Sequence, residues 1–199
     1  MEFTFLGIRI KIGFLFLWLV TVLLCFNIGE EIKLGILFSL LHEAGHLTAI
    51  ITLKERPKEL SFGLFGMTIK RQYDLSQNYK NEIITALAGP VTNYILAVLF
   101  IAFRQTAGSE IMLKAALINI ILGTFNIMPI FSLDGGRALE ACLKLSFDSD
   151  KSEKILKAVS FFTLVIMMSA GIYILISSRY NFTLLAVSVY LIVLLFVKG

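Results

Sequence analysis

Long apolar runs separated by short clusters of charge divide the chain into six segments, covering about residues 10–28, 34–53, 83–103, 111–130, 155–177 and 181–197. Each approaches the roughly 20 residues a helix needs to cross a hydrocarbon core about 30 Å thick. Two intervals break the pattern. From Lys54 to Lys80 charges accumulate, and within them Leu60, Phe62 and Leu64, then Phe65, Met67 and Ile69, alternate with polar or small residues around Gly63 and Gly66. That two-residue period predicts a β-hairpin over about 58–72, against the alternative of an amphipathic loop. After Asp134, the residues Ala138, Leu139, Cys142, Leu143 and Leu145 recur at helical spacing, which predicts a short interfacial helix over about 135–147. The fold expected is an all-α polytopic membrane protein in one domain, 1–199, with six transmembrane helices and a membrane-associated β-hairpin between the second and third. Small residues at Ala86, Ala88 and Gly89 in segment three would let a neighbouring helix come close, and Pro90 should kink or start a helix.

Composition agrees with the pattern. The chain is 57% hydrophobic and 16% charged, against about 25% charged in soluble domains. Arg9 and Lys11 before an apolar run look like the start of a signal peptide. No small-x-small cleavage site follows between Cys25 and Glu30, so an uncleaved first span is expected. Cys25 and Cys142 are far apart without C-x-x-C spacing, which suggests buried, inert thiols. The net charge of +4 is explained by orientation. With the N-terminus inside, fourteen of the 18 Lys and Arg residues face the cytoplasm, and Lys33, Arg104, Lys114 and Arg179 lie outside. Both termini are then cytoplasmic. No basic face with interleaved aromatics is present, so no nucleic-acid partner is expected.

The chemistry concentrates in His42-Glu43-Ala44-Gly45-His46, inside the second apolar run. The chain has 2 histidines, and both are here. Four residues apart, they share one helical face and can bind one zinc ion, with the intervening glutamate as general base. Ionisable groups at membrane depth are costly enough to imply function. A zinc hydrolase takes three protein ligands and leaves a position for water. With no third histidine, the third ligand must be a carboxylate or thiolate; Glu82 and Asp74 lie in or beside the exposed loop, whereas Asp134 follows a span ending on the appropriate side. Asp134 before Gly-Gly-Arg would equally serve as a helix cap. The residues alone leave the choice open.

Three motifs in order give the chain a resemblance to a known family: His42-Glu43-Ala44-Gly45-His46; Gly89-Pro90-Val91-Thr92-Asn93; and Asn126-Ile127-Met128-Pro129 followed by Asp134-Gly135. The sequence resembles the site-2 proteases, intramembrane zinc metalloproteases of peptidase family M50. The resemblance implies one zinc per chain held by His42, His46 and Asp134, Glu43 as general base, and Asn126 and Asn93 as polar groups near the substrate or the developing oxyanion. It further implies substrate contacts at Pro129 and at hairpin residues Phe62 and Phe65, where an extended substrate would add as a strand. The six-span layout is most similar to the sporulation branch, whose member processes a sigma-factor precursor, although no CBS domain or PDZ insertion is expected here. The implied partners are a membrane-tethered protein or peptide substrate, the lipid bilayer and a regulatory membrane partner of unknown identity, at a bacterial cytoplasmic membrane. A metal-binding adaptor without protease activity and a divalent-metal transporter are the competing functions.

Overall fold

A computed structural model describes residues 2–5, 8–12, 29–54, 57–63, 66–71, 78–107 and 110–198. Strands β1 (Glu2–Phe5), β2 (Ile8–Ile12), β3 (Pro57–Gly63) and β4 (Gly66–Arg71) and helices α1 (Glu30–Thr52), α2 (Tyr79–Ala107), α3 (Glu110–Asn126), α4 (Asp134–Lys144), α5 (Ser149–Ser178) and α6 (Thr183–Lys198) make up the architecture. The molecule is mostly helical. Its contacts group into two compact units, Met1–Gln77 with Ala88–Gly123, and Asn78–Leu87 with Thr124–Gly199.

In the first unit the four strands form one sheet in the order β1-β2-β3-β4. β3 and β4 pair antiparallel, with Leu60 opposite Ile69 and Phe62 opposite Met67, while β2 runs parallel to β3. Two strands from the N-terminus therefore make the β element larger than the all-α expectation with a lone hairpin. They also correct the first apolar segment: residues 10–12 are strand, because Ile8, Ile10 and Ile12 alternate with Arg9 and Lys11 and pair with β1 and β3. The rest of that segment, with Cys25, lies outside the described residues.

The helices of this unit pack through small residues. On α1 the buried residues are Phe38, His42, His46 and Ile50, every fourth position, so one narrow stripe faces inward. A Cβ added at Gly45 would lie 2.2 Å from Thr92 Oγ1 and 3.0 Å from the Ala88 carbonyl oxygen, so α1 and α2 cross at near backbone contact there. Phe38 meets Phe100 edge-on at 5.4 Å between ring centroids. α2 continues through Pro90 instead of starting at it. From α3, Ala115, Ala116, Asn119 and Gly123 are buried. At the surface, Lys114 donates to Glu31 at 2.7 Å, tying the first turns of α1 and α3 together.

In the second unit the core is Ile130, Leu164, Met167, Leu191 and Leu195, from the turn before α4 and from α5 and α6. α5 buries Ser152, Leu156, Ser160, Leu164, Met167 and Gly171, again a single face. The fourth expected span stops short: α3 ends at Asn126, and 127–133 is an irregular turn containing Pro129. α4 starts at Asp134 and buries Gly135, Gly136, Ala138 and Ala141. Cys142, the next residue, is exposed, contrary to the buried thiol expected.

Three helices, Glu30–Thr52, Tyr79–Arg104 and Ser149–Ser178, are long and apolar enough to cross a membrane, and Thr183–Val197 is a shorter apolar helix. That is fewer than the six spans expected, counted among the described residues. Their outward faces carry large apolar side chains, such as Val98 (65% exposed), Ile166 (70%) and Phe196 (74%). Water would disfavour such a surface and lipid accepts it, as in an integral membrane protein.

Candidate metal centre

The histidine pair occupies the middle of the buried stripe of α1, with His42 6% and His46 4% exposed. One helical turn brings the two Nε2 atoms within 3.1 Å of each other. Two nitrogens bound to one tetrahedral zinc at 2.0–2.1 Å would stand about 3.3 Å apart, so the pair already has the spacing of shared ligands. On its other side, His42 Nδ1 lies 2.5 Å from Asn93 Oδ1, a contact that an Nδ1–H would make as donor.

Space for an ion is provided by the neighbouring helix. A Cβ built on Gly89 of α2 would lie 2.4 Å from His46 Nε2 and 2.5 Å from His42 Nε2. A side chain at position 89 would collide with both imidazole rings, and the glycine keeps the space beside them open.

Asp134 is prepared differently, at the first residue of α4 after an irregular turn. Pro129 and Phe131 of that turn are held by Ser160 of α5, which accepts from the Phe131 N–H at 2.9 Å and donates to the Pro129 carbonyl at 3.3 Å. A Cβ on Gly135 would lie 2.0 Å from the Ile127 carbonyl oxygen, and one on Gly136 2.0 Å from that of Ile130, so the first turn of α4 is pressed onto the turn backbone. Arg137 sits beside the carboxylate, with Nη1 3.6 Å from Asp134 Oδ1, while its Nη2 donates to Glu82 at 2.8 Å. The Asp134 side chain is 13% exposed.

His42 and His46 of the first unit and Asp134 of the second are the candidate donor residues for a metal ion among the described residues. Two imidazoles and a carboxylate are a donor set suited to zinc. Of the other expected ligands, Glu82 is engaged by Arg137, and Asp74 is outside the described residues.

The remaining expected site residues fall as follows. Glu43 is half-buried on α1, and Asn126, the last residue of α3, and Pro129 are half-buried as well. Phe62 lies in β3, and Phe65 is outside the described residues. Asn93 is fully buried, with Oδ1 facing His42 Nδ1 and Nδ2 donating to Asn119 Oδ1 at 2.9 Å. Asn119, Gly89 as the source of open space, and Ser160 escaped the sequence reading. An asparagine inside an apolar run was the available signal for Asn119.

The geometry can be compared with known proteins. The model of peptidase family M50 matches residues 104–170, a stretch that includes Asn126, Pro129 and Asp134. A zinc metalloprotease of Methanocaldococcus jannaschii is 27% identical over 187 residues, covering 85% of this chain and 53% of that protein, so the chain spans about half the length of this curated relative. Over these stretches the chain is similar to members of peptidase family M50. The solved structure of the site-2 protease from Methanocaldococcus jannaschii shares the fold, with a TM-score of 0.65 over 96% of this chain and 91% of that one at 24% identity. Zinc is the metal in that curated relative's name, and a pair of imidazoles such as His42 and His46 has the chemistry to take such an ion.

Proposed function

We propose that this chain is an intramembrane zinc metalloprotease of the site-2 type, hydrolysing a peptide bond within or next to a transmembrane segment of a membrane-tethered protein. The observation carrying this reading is the histidine pair itself: two Nε2 atoms 3.1 Å apart, buried in an apolar helix, beside a glycine whose missing side chain leaves room for an ion. His42, His46 and Asp134 would hold the zinc. When bound, zinc supplies Lewis acidity that activates water and polarises a carbonyl. Glu43, next to His42 on the same helix, takes the proton of the attacking water and delivers it to the leaving amine nitrogen. Asn126 donates its amide N–H to the developing oxyanion, and Pro129, Phe62 of β3 and Phe65 hold the substrate extended, since a helical peptide bond is shielded from attack.

In this reading the chain crosses the membrane six times with both termini in the cytoplasm, and the C-terminal end of α1 faces the cytoplasm. The exposed Glu31–Lys114 pair then lies on the outer side. The substrate is a signalling protein released by regulated intramembrane proteolysis, such as a sigma-factor precursor. The sequence resemblance supports the sporulation branch and a bacterial cytoplasmic membrane as its setting.

Purified protein reconstituted in liposomes with candidate tethered substrates tests the proposal. One zinc per chain is expected, and chelation should remove zinc and cleavage together. Glu43→Gln should keep the metal and lose cleavage, whereas His42→Ala, His46→Ala and Asp134→Ala should lose both. Zinc flux across the vesicles, or efficient cutting by Glu43→Gln, would overturn it.

A further inference from the structure

Behind the metal pair lies a chain of hydrogen bonds whose direction is set by a main-chain carbonyl. Asn119 Nδ2 donates to the Ala115 carbonyl oxygen at 2.9 Å, one turn back on α3. A carbonyl accepts and never donates, so the Asn119 amide has its NH2 group fixed toward Ala115 and its Oδ1 toward Asn93. Asn93 must then present Nδ2 to Asn119, at 2.9 Å, and Oδ1 to His42. His42 in turn must donate through Nδ1–H, which leaves Nε2 as the lone-pair atom. Both asparagines are 0% exposed, so water cannot substitute for either partner.

Asparagine orientation and histidine tautomer are normally ambiguous. Here the donor and acceptor inventory of each group admits one direction along the chain. Neutral imidazole could otherwise protonate either nitrogen; with His42 Nε2 as the lone-pair atom, the 3.1 Å contact is made by His46 Nε2–H donating to it, and an ion would displace that proton. We infer that Asn93 and Asn119 are positioning residues that lock His42 in its Nδ1–H tautomer, so that a residue of α3 touching neither the metal ligands nor a substrate controls metal affinity. The inference rests on the metalloprotease reading only in supposing that an ion is bound; the tautomer belongs to the metal-free protein.

The consequences are graded. Asn93→Leu removes the acceptor from His42 and should weaken zinc binding by about ten- to hundredfold, the usual range for loss of such a partner. Asn119→Leu leaves Asn93 free to turn its amide, and should weaken zinc less than Asn93→Leu does. Asn93→Asp keeps an acceptor facing Nδ1 and should restore most of the affinity.

Two histidines in the whole chain make a direct test practical. Protein labelled with 15N-histidine, stripped of metal and held near pH 8 in detergent, gives four ring nitrogens, assigned by comparison with His46→Gln. The expected result is His42 protonated at Nδ1 in the wild type, with a shift toward the Nε2–H form in Asn93→Leu and a partial shift in Asn119→Leu. Zinc competition with a chelator should follow the same order. A wild-type His42 protonated at Nε2 would overturn the inference without any variant having to fold, and so would an unchanged tautomer in a folded Asn93→Leu protein. Protein that shows the expected tautomer and binds zinc but cleaves nothing would refute the protease reading and leave the relay standing. Cleavage by protein with the opposite tautomer would refute the relay alone.

Discussion

The histidine helix and the turn leading into α4 position their candidate ligands by opposite means. On α1, regular helical geometry does nearly everything: a four-residue spacing along one buried stripe aligns His42 with His46, and Phe38 and Ile50 continue that stripe to either side. Between Asn126 and Asp134 no regular element exists. The position of the carboxylate depends on Ser160 holding the turn and on two glycines that let α4 press against its backbone. A regular element tolerates substitution beside its functional residues better than an irregular one, whose geometry is distributed over many contacts.

The largest predicted effect breaks the irregular side. Gly135→Ala or Gly136→Ala would drive a methyl group into a main-chain carbonyl 2.0 Å away, and backbone cannot yield as a flexible side chain does. Overpacking typically costs about 1–3 kcal/mol, and a backbone clash should reach or exceed the upper value. Thermal unfolding in detergent should show a lowered Tm together with loss of zinc.

Gly89→Ala separates metal binding from stability. Its new methyl group meets mainly imidazole atoms, which can shift, so Tm should change little while bound zinc falls below detection. Metal analysis of folded, size-homogeneous protein checks this. Full zinc occupancy in Gly89→Ala would mean that the ion sits elsewhere.

Ser160→Ala probes the turn more gently. It leaves the Phe131 N–H without its acceptor, a loss worth about 1–3 kcal/mol if the group stays dry. Zinc affinity should decline with it, because Asp134 is positioned through that turn. At the bottom of the scale, Lys114→Met breaks a solvent-exposed pair with Glu31 and should leave both Tm and zinc content unchanged.

How much of this was legible in the sequence follows the same division. The two histidines and Glu43 could be placed on one helix from spacing alone, because an α-helix converts sequence separation directly into geometry. Asp134 could not be chosen over Glu82 and Asp74 by spacing, since a turn such as 127–133 has no period; the family resemblance favoured it. Asn93 and Asn119 are 26 positions apart and meet only through the packing of α2 on α3, which no local pattern encodes. Gly89 read as a site of close helix approach, but what approaches it is the pair of histidine rings. The alternation of Ile8, Ile10 and Ile12 with Arg9 and Lys11 is a strand pattern, but it adjoins the long apolar run and reads as its beginning.

X-ray absorption at the zinc edge of loaded, detergent-purified protein tests the central claim most directly. Two imidazole nitrogens at about 2.0–2.1 Å with the remaining ligands oxygen, and no sulfur, is the predicted shell. A spectrum with a sulfur ligand, or with a single imidazole, would contradict the His42–His46 site and the chemistry built on it.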